Sequence, residues 1–268
     1  MKRGMAVNER KVAIVTGGTR GIGADISLAF ASAGYRVVAV YVSNEEKALQ
    51  FEAQLKAISP ESCVIRADVS TQEGVDAVTE RAVSAYGRID VLVNNAGIFG
   101  FQFVEDIEEA FLDRMLNVNF KSQVLMTKAC VKIMKKNGFG RILNASSISG
   151  SVADVGLAAY GASKAAIDML TRICAAELAP YSITVNAYAP GIIHTDLTDE
   201  MIRERGHLQV KQIPLNRFGG GEEVAALLVF LASEQAGYIT GEVIGVDGGM
   251  LKVQNPYRAH EYVREAGN

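Results

Sequence analysis

Short runs of β-branched and other apolar residues alternate along this chain with longer segments whose apolar residues recur every three or four positions. The short runs are typical of buried strands, and the longer spacing is typical of helices that bury one face. Strands joined by helices predict a doubly wound parallel α/β sheet of about seven strands, with helices on both faces. The predicted strands are residues 12–15, 37–41, 63–67, 89–93, 141–145, 183–188 and 241–246, and the predicted helices include residues 45–58, 71–86, 107–136 and 221–232.

Composition narrows the class of protein. The 268 residues contain no Pro-, Gly- and Ser-rich linker, so we expect one domain over residues 1–252 and an extension over residues 253–268. The net charge of −3 argues against nucleic acid as a partner, and no apolar run reaches the roughly 18 residues of a membrane span. The N-terminus lacks the apolar core of a signal peptide. Scattered cysteines indicate reduced thiols in a cytoplasmic protein, and scattered histidines predict no metal site (Cys63, Cys130, Cys174; His194, His207, His260).

The first predicted strand ends in a glycine-rich turn that leads into a helix, with glycines at Gly17, Gly21 and Gly23. Glycines at this place allow the backbone to approach a pyrophosphate, whose charge the N-terminus of the helix stabilises. The spacing differs from the strict Gly-x-Gly-x-x-Gly pattern, and a plain tight turn is the alternative.

The end of the second predicted strand indicates which dinucleotide binds. A site for NAD usually places an acid there, whereas this segment continues from Tyr41 to Ser43 and Asn44 before the first acid. Arg20 stands in the glycine turn, where a guanidinium would attract a 2′-phosphate. We therefore expect NADP(H) rather than NAD(H), the alternative being that Arg20 is a solvated charge.

Tyr160 and Lys164 are four residues apart and share one face if their segment is helical. A cation near a phenol favours the phenolate and lowers the pKa of the tyrosine, which suits a group that exchanges a proton with a ketone oxygen. Alone, such a spacing is also common for solvated pairs on helix surfaces.

Together these motifs resemble the short-chain dehydrogenase/reductase family, over about residues 10–250. The resemblance rests on the glycine turn, on residues 94–97 (Asn-Asn-Ala-Gly), on Pro190 with Gly191, and on Asn119 and Ser147 upstream of Tyr160 and Lys164. It implies a Rossmann fold and an oxidoreductase that interconverts a carbonyl and a secondary alcohol.

The resemblance also implies the role of each matching residue. Tyr160 is the acid and base, Lys164 lowers its pKa and binds the nicotinamide ribose, Ser147 orients the substrate oxygen, and Asn119 interrupts a helix and holds a water. The implied cofactor-binding residues are Gly17, Thr19, Arg20, Gly21, Ile22, Gly23, Tyr41, Ser43, Asn44, Asp68, Val69, Asn95, Ala96, Gly97, Tyr160, Lys164, Pro190, Gly191, Ile193 and Thr195.

The substrate is less well defined by the sequence. Phe99, with Phe101 and Phe103, follows the fourth strand and forms either an apolar wall for the substrate or a local core. Ser149 and Asp154 lie between Ser147 and Tyr160, where the family contacts substrate. Residues 192–217 are expected to be a mobile lid.

Within the family, the chain looks most like the branch of 3-oxoacyl-carrier-protein and acetoacetyl-CoA reductases. An acidic carrier protein needs basic residues near the cleft, and Lys135, Lys136 and Arg141 are candidates. Residues 179–182 lack a basic residue that this branch usually has. A general NADP(H)-dependent carbonyl reductase is therefore the first interpretation, with that branch as the alternative and a non-catalytic dinucleotide sensor as a third.

The extension over residues 253–268 continues past the usual end of the family. It is either a disordered tail or a segment that crosses to a neighbouring subunit and covers its site. The resemblance implies a homotetramer.

Overall fold

A computed structural model describes residues 10–196, 198–250 and 252–266. The start of the predicted domain, residues 1–9, and the last two residues of the extension lie outside this part. The described chain forms a seven-stranded sheet in the order β3-β2-β1-β4-β5-β6-β7, and every neighbouring pair is parallel. The predicted fold class is therefore confirmed. The strands are β1 (Val12–Thr16), β2 (Arg36–Tyr41), β3 (Cys63–Arg66), β4 (Val91–Asn94), β5 (Gly140–Ala145), β6 (Ile183–Pro190) and β7 (Val243–Val246).

Helices connect the strands and begin where local chemistry favours them. Asn44 accepts a hydrogen bond from the backbone N–H of Lys47, and Thr71 accepts one from Gly74, so each caps the helix that follows it. The helices are α1 (Gly21–Ser32), α2 (Glu45–Ile58), α3 (Gln72–Tyr86), α4 (Glu109–Leu116), α5 (Ser122–Asn137), α6 (Ala158–Leu178), α7 (Asp199–Gln209), α8 (Gly221–Ala232) and α9 (Arg258–Ala266). No helix in the described part is long and apolar enough to cross a membrane.

Two hydrophobic cores lie on opposite faces of the sheet, because successive strand residues point to opposite sides. On one face, Val15 belongs to the core that includes Phe30 of α1 and Leu228 of α8. On the other face, Ile14 belongs to the core that includes Val78 of α3 and Met126 of α5. Burial on both faces explains why the strands are continuous apolar runs.

The predicted helix over residues 107–136 is wrong in one respect. The structure divides it into α4 and α5, which are joined by a π-helical turn at Asn117–Lys121. Asn119 lies in this turn and its side chain binds both backbone groups of Ile98, which lies after β4. This distant contact stabilises the irregular turn, and helical periodicity does not encode it.

The strand order reverses between β1 and β4, which pair with each other near the middle of the sheet. In sheets of this kind, ligands bind beyond the carboxyl ends of the strands at the point of reversal. The glycine turn after β1 and residues 94–97, at and just after the end of β4, therefore meet at the expected position for a site.

Candidate active site

The glycine turn after β1 is held in shape by the segment that follows β4. Asn95 donates from Nδ2 to the carbonyls of Thr16 (3.0 Å) and Gly17 (3.2 Å), and Thr16 Oγ1 accepts from the N–H groups of Asn95 and Ala96. A Cβ on Gly23 would lie 2.0 Å from the Gly17 carbonyl oxygen, so only glycine fits there. The turn is thus organised by the protein itself.

The N-terminus of α1 fits an anionic group. Helix α1 has neither a side-chain cap nor an acidic residue in its first turn, whereas α2 and α3 have both. Its first N–H groups and its positive dipole end are therefore left for a ligand, as a pyrophosphate requires. Thr19 and Ile22 flank this end and are half-buried. Gly21 faces Thr195, because a Cβ on Gly21 would lie 3.6 Å from the Thr195 side chain.

The end of β2 differs in part from the prediction. Tyr41 is 8% exposed, and Asn44 is exposed but uses its side-chain oxygen to cap α2. Ser43 and Arg20 are exposed. Sequence analysis missed Lys47, which forms an ion pair with Asp196 of the predicted lid (3.2 Å). Lys47 lies in the first turn of α2, just after Ser43 and Asn44, and this position in the sequence could have indicated that it belongs near the site.

Two predicted cofactor contacts, Asp68 and Val69, follow β3. Asp68 is exposed and accepts hydrogen bonds from the N–H and hydroxyl of Ser70 at one carboxylate oxygen, Oδ1. Val69 is 4% exposed and belongs to the core of the sheet. The side chain of Val69 cannot line a site, which leaves its backbone as the group available to a ligand.

The four predicted catalytic side chains come together. Ser147 is the second residue after β5, and its side chain lies close enough to Tyr160, near the start of α6, to lower the pKa of that tyrosine. Asn119 donates to Ser163 Oγ (3.1 Å) on the same helix. Gly97 approaches both groups, because a Cβ there would lie 3.3 Å from Asn119 Oδ1 and 3.7 Å from Lys164 Nζ. The glycine cradle and the tyrosine thus border one cleft.

Lys164 is buried on α6, with 4% of its surface exposed. Its Nζ donates to the carbonyl of Ala145 (2.8 Å) and lies 5.6 Å from the centroid of the Tyr160 ring. Burial lowers the pKa of Lys164 to about 8, and the charge of Asp168 opposes this shift.

The expected direction of the Tyr160 pKa is wrong for the chain alone. Burial raises the pKa of Tyr160, and the hydrogen bond from Ser147 lowers it by less. The Lys164 ammonium points to the end of β5, so it does not outweigh the loss of water around the phenol. In this state Tyr160 is a proton donor.

The aromatic residues after β4 reach the cleft. The Phe99 ring packs edge-on against the Tyr160 ring at 5.0 Å and is 51% exposed. Phe101 and Phe103 pack on each other, and Phe101 also covers Gly156 in the segment before α6. All three are about half exposed, so they form an open apolar wall rather than a closed core.

Ser149 and Asp154 both line a cavity of about 310 Å³ beside α6, together with Gly161 and Ala165. These helix positions lie on a different face of α6 from Tyr160. The backbone N–H of Ser149 donates to Ser147 Oγ (3.2 Å), so Ser149 lies next to a predicted catalytic residue. Contact of Ser149 or Asp154 with substrate stays a prediction.

The segment after β6 closes the other side of the cleft. Pro190 pairs with Val246 of β7, and Gly191 N–H donates to the carbonyl of the same Val246 (3.0 Å). The Ile193 side chain is buried, and its carbonyl accepts from Thr198 Oγ1 (2.6 Å). Thr198 also accepts from the N–H of Thr195, so this residue, which sequence analysis missed, fixes the predicted cofactor contacts Ile193 and Thr195.

The basic residues predicted near the cleft lie elsewhere. Lys135, Lys136 and Arg141 are at the amino end of β5, whereas Ser147 follows its carboxyl end. Arg141 is 5% exposed, and Lys135 Nζ lies 3.8 Å from the centroid of the Tyr181 ring. They do not form a docking surface beside the site, and that expectation is wrong.

The C-terminal extension forms helix α9, so the disordered alternative is wrong for this part of it. A ring nitrogen of His260, Nε2, hydrogen-bonds the carbonyl of Pro214 in the predicted lid (2.8 Å). The Tyr257 ring stacks on His260 and lies under Lys211 and Arg264. Within its own chain the helix therefore contacts the lid; a crossing to a neighbouring subunit stays a prediction.

Comparisons with known proteins agree with this architecture. Residues 17–251 match the family model described as enoyl-(acyl carrier protein) reductase. The chain is 41% identical over 240 residues to a 3-oxoacyl-(acyl-carrier-protein) reductase of Staphylococcus aureus, covering 90% of this chain and 98% of the relative. The enzyme of the same name from Thermotoga maritima is 40% identical over 244 residues, with coverages of 91% and 98%.

Solved structures give the same result. Two mutants of a Serratia marcescens short-chain dehydrogenase/reductase are similar to this chain with TM-scores of 0.83 and 0.84, at 35% and 36% identity. Each comparison covers 89% of this chain and 97% of the other. The chain therefore belongs to the short-chain dehydrogenase/reductase family and is an NAD(P)-dependent oxidoreductase.

Proposed function

We propose that this enzyme interconverts a carbonyl compound and the matching secondary alcohol with NADP(H), and that Tyr160 is the general acid and base. The observation that carries the proposal is the position of the Ser147 side chain, which lies close enough to the Tyr160 hydroxyl to lower its pKa, beside the half-exposed ring of Phe99. Two hydroxyl groups that meet at one point can both donate to a single carbonyl oxygen.

In the direction of reduction, Tyr160 donates its proton to the carbonyl oxygen as negative charge develops there, and Ser147 donates a second hydrogen bond to that oxygen. The nicotinamide, when bound, supplies or accepts the hydride at the carbonyl carbon. Burial raises the pKa of Tyr160, so the phenol keeps its proton until an oxygen with developing charge is present. In oxidation the phenolate accepts the proton of the alcohol.

Lys164 and Asn119 support this proton transfer. The ammonium of Lys164 stabilises the phenolate form of Tyr160. Lys164 would also bind the nicotinamide ribose, and Asn119 would hold a water that exchanges protons with Lys164. The π-helical turn around Asn119 supports the last role, because such a turn interrupts the regular ladder of helix hydrogen bonds.

Residues 1–252 form the dinucleotide-binding and catalytic domain in this proposal, with residues 192–217 as its lid. The uncapped N-terminus of α1 supports pyrophosphate binding. The preference for NADP(H) is supported by the exposed guanidinium of Arg20 and by the absence of an acid before Glu45 at the end of β2. Ser43 and the amide nitrogen of Asn44 add hydrogen-bond donors beside it.

The substrate class stays broad. The names of the relatives favour reduction of a 3-oxoacyl thioester, and the paired hydroxyls of Ser147 and Tyr160 favour a C=O bond over the C=C bond of an enoyl group. The position of Lys135, Lys136 and Arg141 removes one argument for an acidic carrier protein. A small ketone beside the Phe99 wall is therefore the first substrate class, and 3-oxoacyl-carrier-protein or acetoacetyl-CoA is the alternative.

We infer a cytoplasmic homotetramer for the assembly. The exposed apolar residues Met169 and Ile173 lie on the outer face of α6, where a second copy would bury them. Light scattering after size exclusion tests this, and a monomer at micromolar concentration would contradict it.

A panel of carbonyl compounds and alcohols tests the reaction. Purified enzyme is mixed with NADPH or NADH and ketones, sugars, cyclic ketones or acyl thioesters, and absorbance of the reduced cofactor is followed. We expect turnover of at least one carbonyl class, with NADPH preferred. No turnover of any compound with either cofactor, from protein that binds the cofactor, would contradict the proposal and favour a non-catalytic sensor.

A further inference from the structure

Asp168 is a buried carboxylate on α6, one turn after Lys164, with 4% of its surface exposed. One of its oxygens, Oδ1, accepts a hydrogen bond of 2.5 Å from Ser146 Oγ. Burial raises the pKa of Asp168, and this bond, together with the nearby Ser151 side chain, lowers it by less. A Cβ on Gly150 would lie 3.0 Å from the second oxygen, so the backbone of that residue packs against it. Asp168 thus contacts the segment after β5 at Ser146 and at Gly150.

This segment carries the functional groups of the site. Ser146 lies between Ala145, whose carbonyl accepts from Lys164 Nζ, and Ser147, whose side chain bonds Tyr160. The N–H of Ser146 donates to the Tyr188 carbonyl on β6 (2.8 Å). The hydrogen bond between Ser146 and Asp168 ties Ser146 to α6. It therefore fixes the backbone that connects the Ala145 carbonyl to Ser147.

Asp168 is also the counter-charge of the buried Lys164. An ammonium out of water is costly, and a carboxylate four residues along the same helix face offsets part of that cost. Among the described residues, the charges of Arg172 and Lys164 lower the pKa of Asp168, and the charge of Asp168 raises the pKa of Lys164.

The titratable Tyr160 faces Lys164 from the same helix. The segment after β5 contributes the Ser146 and Ser151 hydroxyls, and the π-helical turn contributes the neutral Asn119; neither β5, β6 nor α4 adds a charge that shifts either pKa.

We propose that Asp168 is a positioning residue of the oxidoreductase, which holds the Ser146–Ser147 peptide against α6 and keeps the buried Lys164 protonated. The inference rests on the proposed roles of Tyr160 and Lys164. Asp168 touches neither reacting atoms nor cofactor in this proposal; it acts through its two neighbours.

The sign of the expected effect follows from the charge. Without the carboxylate, the protonated form of Lys164 loses a favourable interaction, so the pKa of Lys164 falls further below its ordinary value. Lys164 then loses its proton at a lower pH, and Tyr160 loses the cation that stabilises its phenolate. Reduction leaves Tyr160 as the phenolate, which protonated Lys164 stabilises, so loss of the Lys164 proton sets the basic limb of the pH profile for reduction. This limb should therefore move to lower pH.

The test compares three variants with the wild-type enzyme. Asp168→Asn removes the charge and keeps the shape, Asp168→Glu keeps the charge, and Ser146→Ala removes the hydroxyl bridge while both charges stay. The readouts are the pH profile of kcat/KM for the best substrate of the panel, and the NMR titration of the Lys164 side chain in the protein without substrate.

We expect Asp168→Asn to move both the Lys164 titration and the basic limb down by about one pH unit. Asp168→Glu should leave both within about 0.3 unit of wild type, a margin below the one-unit shift that a neighbouring charge produces. Ser146→Ala should lower kcat without moving either. Coincident titrations of wild type and Asp168→Asn would overturn the proposal.

The NMR readout keeps the two proposals apart. A shifted Lys164 titration in a protein that turns over no substrate would contradict the proposed function and leave the Asp168–Lys164 coupling intact. If Asp168→Asn does not fold, the other two variants decide: a Lys164 titration that moves in Ser146→Ala, or in Asp168→Glu, would overturn the role of the charge.

Discussion

Helix α6 and the lid segment over residues 192–217 border the same cleft and are built in opposite ways. Nine residues of α6 are buried, including Lys164 and Asp168. Among the described residues of the lid, only Ile193, Gly206 and Ile213 are buried. A proton-transfer group needs a fixed position and a controlled pKa, which burial provides, whereas substrate entry needs a segment that opens at low cost.

The lid is held instead by a few polar contacts. Thr198 fixes its beginning, an ion pair from Arg217 to Glu223 (2.7 Å) fixes its end, and His260 of α9 contacts Pro214 between them. Exposed contacts of this kind contribute little stability each. The comparison therefore predicts large effects from changes in α6 and small, substrate-specific effects from changes around the lid.

The largest effect is expected for Tyr160→Phe. Loss of the hydroxyl removes the proton donor, so kcat should fall about a thousandfold or more while the dissociation constant for NADPH stays within about threefold. Steady-state assays measure kcat, and cofactor fluorescence measures the dissociation constant for NADPH. Tyr181→Phe, at the amino end of β6, is the matched control and should be unchanged. Turnover of Tyr160→Phe within tenfold of wild type would refute the assignment.

A smaller, cofactor-specific effect is expected for Arg20→Ala. Loss of the guanidinium should weaken NADPH binding at least tenfold, since hydrogen bonds to charged groups are worth about 1.5–3 kcal/mol. Binding of NADH should stay the same, because it lacks the 2′-phosphate. Titration calorimetry with both cofactors makes the comparison, and Lys136→Ala is the control. An equal loss for NADPH and NADH would contradict the role of Arg20.

Much of this fold could be predicted because local signals agreed with it. The helix over residues 45–58 has the predicted bounds, since Asn44 caps it and Glu45 and Glu46 occupy its first turn. The helix over residues 107–136 was not predictable in detail, because its π-helical turn depends on the contact of Asn119 with a distant backbone. Distant contacts leave no periodic pattern in the sequence.

The candidate site could likewise be predicted in part, from local motifs, while the features that depend on distant contacts could not. Ser147 could be predicted because it follows a strand, and Tyr160 and Lys164 could be predicted because their spacing places them on one helix face; the structure brings these residues close to one another. The sequence could not show that Lys164 points to the Ala145 carbonyl, or that Asp154 lines a cavity with Gly161 and Ala165 of α6. The direction of a side chain depends on what surrounds it, and burial reversed the expected shift in the pKa of Tyr160.

A moderate effect on substrate binding is expected for His260→Ala. Loss of the contact with Pro214 loosens the lid, so KM for the substrate should rise about two- to fivefold while kcat changes less than twofold; the lost hydrogen bond is worth about 1 kcal/mol. Steady-state kinetics measure both constants. Tyr262→Ser, on the exposed face of the same helix, is the control and should leave KM unchanged. An unchanged KM in His260→Ala would show that α9 does not restrain the lid.

The smallest effect is expected for Glu223→Gln, which breaks the ion pair at the end of the lid. The Arg217 guanidinium, with the N–H of Gly220, lowers the pKa of Glu223 to about 2 from its ordinary 4.5. A lowered pKa stabilises the fold above the ordinary value, and this contribution disappears as the pH falls from about 4.5 towards 2. The variant should therefore melt at most a few degrees below wild type at pH 7, and the difference should narrow at pH 3 and in high salt. Glu80→Gln on α3 is the control for loss of an exposed charge. A difference in Tm that is as large at pH 3 as at pH 7 would mean that Glu223 acts through packing and that its charge does not hold the lid.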